Sequence, residues 1–164
     1  MEGLKFIIAP HDVSKSHIDE LQHRLFPGAV LFSEIDRSLG TENKVLIIDS
    51  IGKLSRLYQY AQLSYIGGGF GVGIHNILEA ATFGSPVLFG PNYSKFQEAV
   101  DLVQLGGAFA VKNADELIHK TDQLIHDMDY HEETAVICKN YVEQHRGATE
   151  MITDQLLKDL DPIK

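Results

Sequence analysis

The alternation of short apolar runs with amphipathic segments is the feature that most constrains the fold of this chain. Segments whose apolar residues recur every three or four positions follow most of the apolar runs. Such alternation is typical of a parallel sheet covered by helices. The predicted strands comprise residues 5–9, 29–32, 45–49, 63–66, 86–89 and 108–111.

Helical periodicity occupies the stretches between these strands. We expect a polar loop through Gly40 and a helical tail from Asp115 that breaks at Arg146-Gly147. The pattern therefore predicts an α/β, Rossmann-like three-layer αβα domain with a parallel sheet and a helical tail, with residues 1–164 forming one domain. Since a strand begins almost at once, near Leu4, we expect this domain to be excised from a longer protein. The other predicted helices comprise residues 14–25, 54–61, 75–84 and 95–104.

Composition excludes several classes of function. The formal charge of −9 argues against nucleic acid and against adhesion to anionic lipid, since both are held by clustered cations. The single cysteine, Cys138, excludes a disulfide framework and a cysteine zinc site, and the eight histidines lack metal-ligand spacing. No apolar run approaches the ~20 residues that span a bilayer, and no signal peptide is recognisable. We expect a chain without a metal or cofactor in a reducing, cytoplasmic environment.

A glycine-rich segment at residues 67–73 is the clearest candidate for a ligand site. It contains five glycines, follows a predicted strand and precedes a predicted helix. Ligands of open α/β sheets bind beyond the carboxyl ends of the strands, and a helix start attracts anions. No G-x-G-x-x-G, P-loop or G-x-S-x-G pattern occurs, which removes support for NAD, P-loop and hydrolase chemistry. The alternative is a mobile turn without a ligand.

Asn76 and Glu79 follow this segment at a spacing of three. On the first turn of a helix both side chains face the same way. A carboxylate there can accept hydrogen bonds from the two hydroxyls of a ribose, or it can simply be a favourable acid in a first helical turn. The residues alone leave both possibilities open.

Other loops lie at the same predicted edge of the sheet. Ser50 is a candidate helix cap, and Lys53 can either meet a phosphate or remain solvated. His11 can donate to a ligand or serve as a turn residue. The loop at residues 90–94 precedes the helix that carries Phe96 and Glu98. Together these loops favour a binding site more strongly than any one of them does alone.

Four motifs, in order, resemble the carboxy-terminal half of the bacterial 3-deoxy-D-manno-octulosonic acid (Kdo) transferases, which are GT-B glycosyltransferases. The loop at residues 49–54 (DSIGKL) is similar to that family's GDTMGEL loop, and residues 106–108 (GGA) resemble a later stretch. The match extends over nearly the whole chain. The four motifs are residues 66–70 (IGGGF), 73–81 (GIHNILEAA), 84–87 (GSPV) and 90–91 (GP).

The resemblance implies a site for CMP, the nucleotide of a CMP-Kdo donor. It implies that residues 76–79 hold the ribose and the phosphate end, with Glu79 accepting from the ribose hydroxyls. It further implies that residues 51–53 line the cytosine side and that the first loop reaches the nucleotide. The implied CMP-binding residues are Pro10, His11, Ile51, Gly52, Lys53, Gly68, Gly69, His75, Asn76, Ile77, Leu78 and Glu79.

Three positions depart from the family pattern. The first loop reads Pro10-His11-Asp12 where the family usually has Pro-Arg-His, so a cationic contact is missing or replaced. Lys53 stands where the family often has glutamate, and Ile77 stands where it often has proline. These departures concern individual contacts rather than the order of the motifs.

The resemblance also implies partners outside this chain. In the family an amino-terminal domain carries a glutamate proposed as general base, the site for the lipid A precursor and the membrane-associating surface. The whole enzyme would work at the cytoplasmic face of the bacterial inner membrane. We therefore expect no catalytic residue in this chain, which alone would be soluble, bind CMP weakly and transfer nothing. The alternatives are a UDP-sugar glycosyltransferase or epimerase, and a non-catalytic nucleotide-binding module.

Overall fold

The computed structural model describes residues 3–35 and 43–160, so the predicted loop through Gly40 lies outside the described residues. Within these ranges the chain divides into two compact units, residues 1–57 and residues 58–164. Each unit contains one parallel three-stranded sheet. The α/β class with parallel strands is confirmed, and the single-domain organisation stays a prediction.

The first unit is built on strands β1 (Phe6–Ile8), β2 (Val30–Leu31) and β3 (Val45–Ile47). They lie in the order β1-β3-β2, with Ile8 opposite Ile47 and Leu31 also opposite Ile47. Helix α1 (Lys15–Glu20) continues as a π-helical segment, Leu21–Leu25, and β2 runs into a 3₁₀ turn, Phe32–Glu34. Helix α2 (Leu54–Leu57) closes the unit. The buried cluster at its centre is small and contains Ile18, Leu21, Ala29 and Ile47.

The second unit is built on strands β4 (Ser64–Ile66), β5 (Val87–Phe89) and β6 (Ala108–Ala110). They lie in the order of the sequence, and every residue of the central strand β5 is buried. A 3₁₀ turn, Tyr58–Tyr60, precedes β4. Parallel strands that are buried on both faces consist almost entirely of apolar residues, which explains why β5 is easy to predict from the sequence.

Apolar side chains on both faces of this sheet produce three layers. Val87 and Phe89 belong to the main core, which also includes Leu102 and Cys138 from two of the helices described below. Leu88, between them, points to the opposite face and packs with Leu124 of a third helix. Because side chains alternate along a strand, each face of β5 supports its own helical layer. The second unit thus has the three-layer αβα arrangement that the sequence predicts.

Helices complete the second unit. Helix α3 (Leu78–Ala81) is a single turn, and α4 (Gln97–Leu105) ends at Gly106, whose φ of +86° is the left-handed conformation that glycine adopts easily. The tail consists of α5 (Ala114–His126), α6 (Met128–Gln144) and α7 (Ala148–Leu160). The predicted break at residues 146–147 is confirmed.

Three predictions about helices are wrong. The tail has a second break at Asp127, whose carboxylate accepts a hydrogen bond from the Tyr130 N–H at 3.0 Å and caps α6. Ser50 does not cap α2, because that helix begins only at Leu54. The helix expected from residue 75 begins at residue 78, since residues 74–77 have no regular structure. Within the described ranges, no helix has both the length and the apolar character needed to cross a bilayer.

Candidate functional site

The predicted ligand residues divide between the two units, and each group is described by itself. In both units these residues follow the carboxyl ends of strands, as the sequence predicts. Pro10, His11, Ile51, Gly52 and Lys53 belong to the first unit, and Gly68, Gly69, His75, Asn76, Ile77, Leu78 and Glu79 belong to the second.

The loop after β1 is organised by Asp12 rather than by a cation. The Asp12 carboxylate accepts a hydrogen bond from the Ser14 N–H at 2.8 Å, just before helix α1. This hydrogen bond holds the pKa of the Asp12 carboxyl below its usual value. Pro10 is half-buried and His11 is exposed beside it. The loop therefore presents an ionised carboxylate where the family pattern usually has a histidine, and no arginine accompanies it.

The loop after β3 projects into solvent. The Ile51 side chain is 85% exposed, and Gly52 has a φ of +80°. The Lys53 Nζ lies 6.0 Å from the centroid of the Phe32 ring, at the outer limit of a cation–π contact. The three residues predicted to line a cytosine are thus accessible to solvent.

The base of this loop contains a polar cluster. The Asp49 carboxylate accepts hydrogen bonds from the Ser33 N–H, at 3.0 Å, and from the Ser33 hydroxyl. The neighbouring Ser50 Oγ is buried and has no hydrogen-bond partner within the described part of the chain. Asp49 thus ties the chain after β2 to the carboxyl end of β3.

The glycine-rich segment after β4 is a hydrogen-bonded loop. The Gly71 N–H donates to the Gly68 carbonyl at 2.9 Å, and the Asn92 N–H donates to the Gly69 carbonyl at 2.9 Å. The Asn92 side-chain amide donates to the Gly71 carbonyl at 2.8 Å. The loop is therefore fastened to the chain after β5, which disagrees with the alternative of a mobile turn.

Two glycines of this loop are explained by close backbone contacts. A Cβ on Gly68, whose φ is +91°, would lie 2.3 Å from the Gly73 carbonyl oxygen. A Cβ on Gly69 would lie 2.6 Å from the Gly90 backbone nitrogen, and Gly90 is equally close to Gly69 in return. The sequence attributed these glycines to the approach of a ligand. The structure gives them a second reason, because the loops after β4 and β5 pack backbone against backbone.

Asn76 and Glu79 lie close together, although not on one helical turn as predicted. The Asn76 Oδ1 accepts a hydrogen bond from the Leu78 N–H at 3.0 Å, and the Asn76 Nδ2 donates to Glu79 Oε1 at 3.2 Å. Asn76 is exposed and Glu79 is half-buried. Since α3 has only four residues, an anion site at a long helix start is not formed here.

The other residues of this segment differ in what they can offer a ligand. The Ile77 side chain is completely buried in the main core, and Leu78 packs against that core. A contact from Ile77 must therefore come from its backbone. His75 is exposed, and its N–H donates to the Gly67 carbonyl at 3.3 Å.

Tyr58 is a neighbour of Glu79 that the sequence did not mark as part of the site. Burial raises the pKa of the Tyr58 hydroxyl, and the Glu79 carboxylate raises it further. Tyr58 packs against the main core, and its hydroxyl is close enough to Glu79 to feel the charge of that carboxylate. The spacing of Tyr58 predicts a residue on the apolar face of a helix and carries no signal for a place near Glu79.

The first unit has a depression of about 230 Å³ at the opposite ends of its strands. It lies before β2 and β3, whereas ligands of parallel sheets bind beyond the carboxyl ends. We therefore do not assign the nucleotide to it. Within the described residues, no group of three or more His, Cys, Asp and Glu side chains is placed to hold a metal ion. The depression is lined by Pro27, Gly28, Ala29, Asn43, Lys44 and Val45.

Comparison with solved structures defines the class of fold. The chain superposes with a TM-score of 0.74 on the C-terminal CMP-Kdo binding domain of WaaA from Acinetobacter baumannii. The alignment covers 85% of this chain and 74% of that domain, at 22% identity. The fold is thus that of the carboxy-terminal domain of a GT-B glycosyltransferase.

Comparison of sequences defines the family. No protein-family model matches the chain. It is 33% identical over 125 residues to the 3-deoxy-D-manno-octulosonic acid transferase of Aquifex aeolicus, covering 75% of this chain and 34% of that protein. It is 37% identical over 84 residues to the same enzyme of Rickettsia prowazekii, covering 51% of this chain and 18% of that protein. The chain spans about a third of the first relative and less of the second. It is a relative of the bacterial Kdo transferases, and the predicted resemblance to their carboxy-terminal part is confirmed.

Proposed function

We propose that this chain binds the CMP moiety of CMP-Kdo and supplies the donor-binding part of a Kdo transferase in lipopolysaccharide biosynthesis. The observation that carries the proposal is the placement of Glu79. Along the chain Glu79 follows the parallel strand β4 and the fastened glycine-rich loop, in the motif that resembles the family, and its carboxylate accepts a hydrogen bond from Asn76.

A carboxylate in this position suits the sugar of a nucleotide. The two oxygens of Glu79 can accept hydrogen bonds from the vicinal hydroxyls of a ribose, and bonds to an ionised acceptor are stronger than neutral ones. Oε1 already accepts one hydrogen bond, from Asn76, while each carboxylate oxygen has two lone pairs. The half-buried environment beside Tyr58 reduces competition from water.

The phosphate end of the nucleotide requires other groups. We propose that the backbone of residues 68–69 and the exposed His75 lie at this end, because the four-residue α3 provides little helix dipole. In the first unit, Pro10, His11 and residues 51–53 remain predicted contacts of the nucleotide. Their accessibility supports this prediction.

In the whole enzyme, a base would remove the proton of an acceptor hydroxyl on the lipid A precursor. The oxygen would attack the anomeric carbon of Kdo with inversion while CMP leaves. The part proposed here holds the leaving nucleotide and stabilises its phosphate electrostatically. The general base, the acceptor site and the association with the cytoplasmic face of the inner membrane are proposed for the amino-terminal part of such an enzyme.

Calorimetric titration of the chain with CMP, UMP and AMP tests the proposal. We expect CMP to bind with UMP clearly weaker, and Glu79→Gln to weaken CMP at least fivefold, about 1 kcal/mol. Glu133→Gln is the matched control, because Glu133 is an exposed acid on α6. A preference for UMP would indicate a UDP-sugar enzyme, and equal binding of all three would indicate a general nucleotide-binding module. Absence of binding to all three would contradict a donor site in this chain.

A further inference from the structure

The side-chain amide of Asn76 accepts one hydrogen bond and donates another. Its Oδ1 accepts from the Leu78 N–H at 3.0 Å, and its Nδ2 donates to Glu79 Oε1 at 3.2 Å. The chemistry fixes this orientation, because a backbone N–H needs an acceptor and a carboxylate needs a donor. One amide thus links the start of α3 to the carboxylate on its first turn.

From this geometry we propose that Asn76 is a positioning residue, which orients the Glu79 carboxylate toward the ribose and acts on the nucleotide through Glu79. This inference rests on the proposed function. A free glutamate side chain samples several rotamers and loses that freedom on binding. The bond from Asn76 to Oε1 removes part of that freedom before the ligand arrives. Oε2 then remains the oxygen without a bond to Asn76.

Asparagine is the residue type that this arrangement requires. An aspartate at position 76 could accept from the Leu78 N–H equally well, but it would repel the Glu79 carboxylate. A serine could also cap the helix start, but its shorter side chain would not bridge to Glu79 in the same way. An alanine would lose both bonds. The substitutions therefore separate the cap from the contact with Glu79.

The contacts of Glu79 make the effect measurable without a ligand. The Asn76 amide donates to the Glu79 carboxylate, and the charge of that carboxylate adds to the burial that raises the pKa of the Tyr58 hydroxyl. Loss of the Asn76 N–H donor should let the Glu79 side chain sample more rotamers, and a new aspartate charge should drive the two carboxylates apart. This change can be followed by NMR through the side-chain couplings of Glu79.

The experiment compares the wild-type chain with Asn76→Asp, Asn76→Ser and Glu79→Gln. The first readout is the range of rotamers that the Glu79 side chain samples, which we expect to widen in Asn76→Asp and in Asn76→Ser. The second is the ratio of the dissociation constants of 2′-deoxy-CMP and CMP. We expect this ratio to fall at least threefold in Asn76→Asp and to fall in Asn76→Ser, while thermal unfolding changes little because the cap acceptor remains.

The outcomes distinguish the two proposals. If Glu79→Gln leaves the ratio of the two dissociation constants unchanged, Glu79 does not bind the 2′-hydroxyl of the ribose and the proposed function fails. If Glu79→Gln lowers the ratio while Asn76→Asp and Asn76→Ser leave both it and the Glu79 rotamers unchanged, the positioning role of Asn76 is overturned. A lower ratio in Asn76→Asp with unchanged Glu79 rotamers would also overturn it, because Asn76 would then contact the nucleotide directly.

Discussion

Two glycine-containing loops, one in each unit, use glycine for different reasons. In the loop after β3, a Cβ on Gly52 would meet nothing within 4 Å, and the residue is needed for its φ of +80°. In the loop after β4, Gly69 has no left-handed φ, but a Cβ there would lie 2.6 Å from the Gly90 backbone. The loop after β3, called the open loop below, needs glycine for its backbone conformation. The loop after β4, called the closed loop below, needs glycine because its backbone packs against another backbone segment.

This difference shows which loop can hold a fixed geometry for a ligand. The loop after β4 is bound to the chain after β5 through both the backbone and the side chain of Asn92. In the open loop the Ile51 side chain is 85% exposed, and the Lys53 Nζ lies 6.0 Å from the centroid of the Phe32 ring. The closed loop is thus held in one geometry by packing and hydrogen bonds, which is what precise contacts to a ligand require.

The largest expected effect is that of Gly69→Ala. The new methyl group would force the backbones at residues 69 and 90 apart, and overpacking of this kind costs about 3 kcal/mol. Denaturant unfolding measures the change. Gly67→Ala is the matched control, because a Cβ there meets nothing within 4 Å, and it should be neutral or slightly stabilising. Equal stability of the two variants would contradict the closed packing.

Substitution in the open loop should cost less. Gly52→Ala places a side chain in the left-handed region, at a cost of about 1 kcal/mol, without a clash. Gly52→Asn should recover part of that loss, because asparagine tolerates this conformation. The same unfolding measurement compares them. A loss as large as that of Gly69→Ala would mean that this loop is packed as well.

Asn92→Ala tests whether the Asn92 side chain helps to hold the closed loop in place. It removes the hydrogen bond to the Gly71 carbonyl, so we expect a loss of about 1 kcal/mol and faster hydrogen exchange of the Gly71 amide. Asn140→Ala, at an exposed position on α6, is the control. Unchanged exchange at Gly71 would show that the backbone bonds alone hold the loop.

The smallest effect is expected for Lys53→Ala. Its ammonium group lies 6.0 Å from the Phe32 ring, so the unfolding free energy should change by less than about 0.5 kcal/mol. If Lys53 lines the cytosine side, CMP affinity should nevertheless fall. A change in stability without a change in affinity would assign Lys53 to the fold alone.

The sequence predicted the six strands found in residues 3–35 and 43–160, because each is a short apolar run with few polar residues. It misplaced the start of α3 by three residues, because Ile74 and Ile77 are buried without being helical. The resemblance implied that Ile77 contacts the ligand, and since its side chain lies in the core, only its backbone is available for that contact. The spacing of apolar residues indicates which positions are buried, and it does not indicate at which residue the hydrogen bonds of a helix begin.

The candidate site was predictable in part. The motifs placed Glu79 and Asn76 together, and the structure brings their side chains into a hydrogen bond. The contact of Gly69 with Gly90 was not predictable, because it depends on how the loops after two strands meet in space. The role of Tyr58 beside Glu79 likewise depends on a tertiary contact across 21 positions of sequence.

The measurement that tests the central claim most directly is a nitrogen–proton correlation NMR titration of the chain with millimolar CMP. We predict that the amide signals of residues 67–79 and 90–92 shift, and that Glu79→Gln abolishes most of these shifts. Shifts confined to the depression around residues 27–29 and 43–45, or no shifts at saturating CMP, would contradict the assignment of the nucleotide site to the loop after β4.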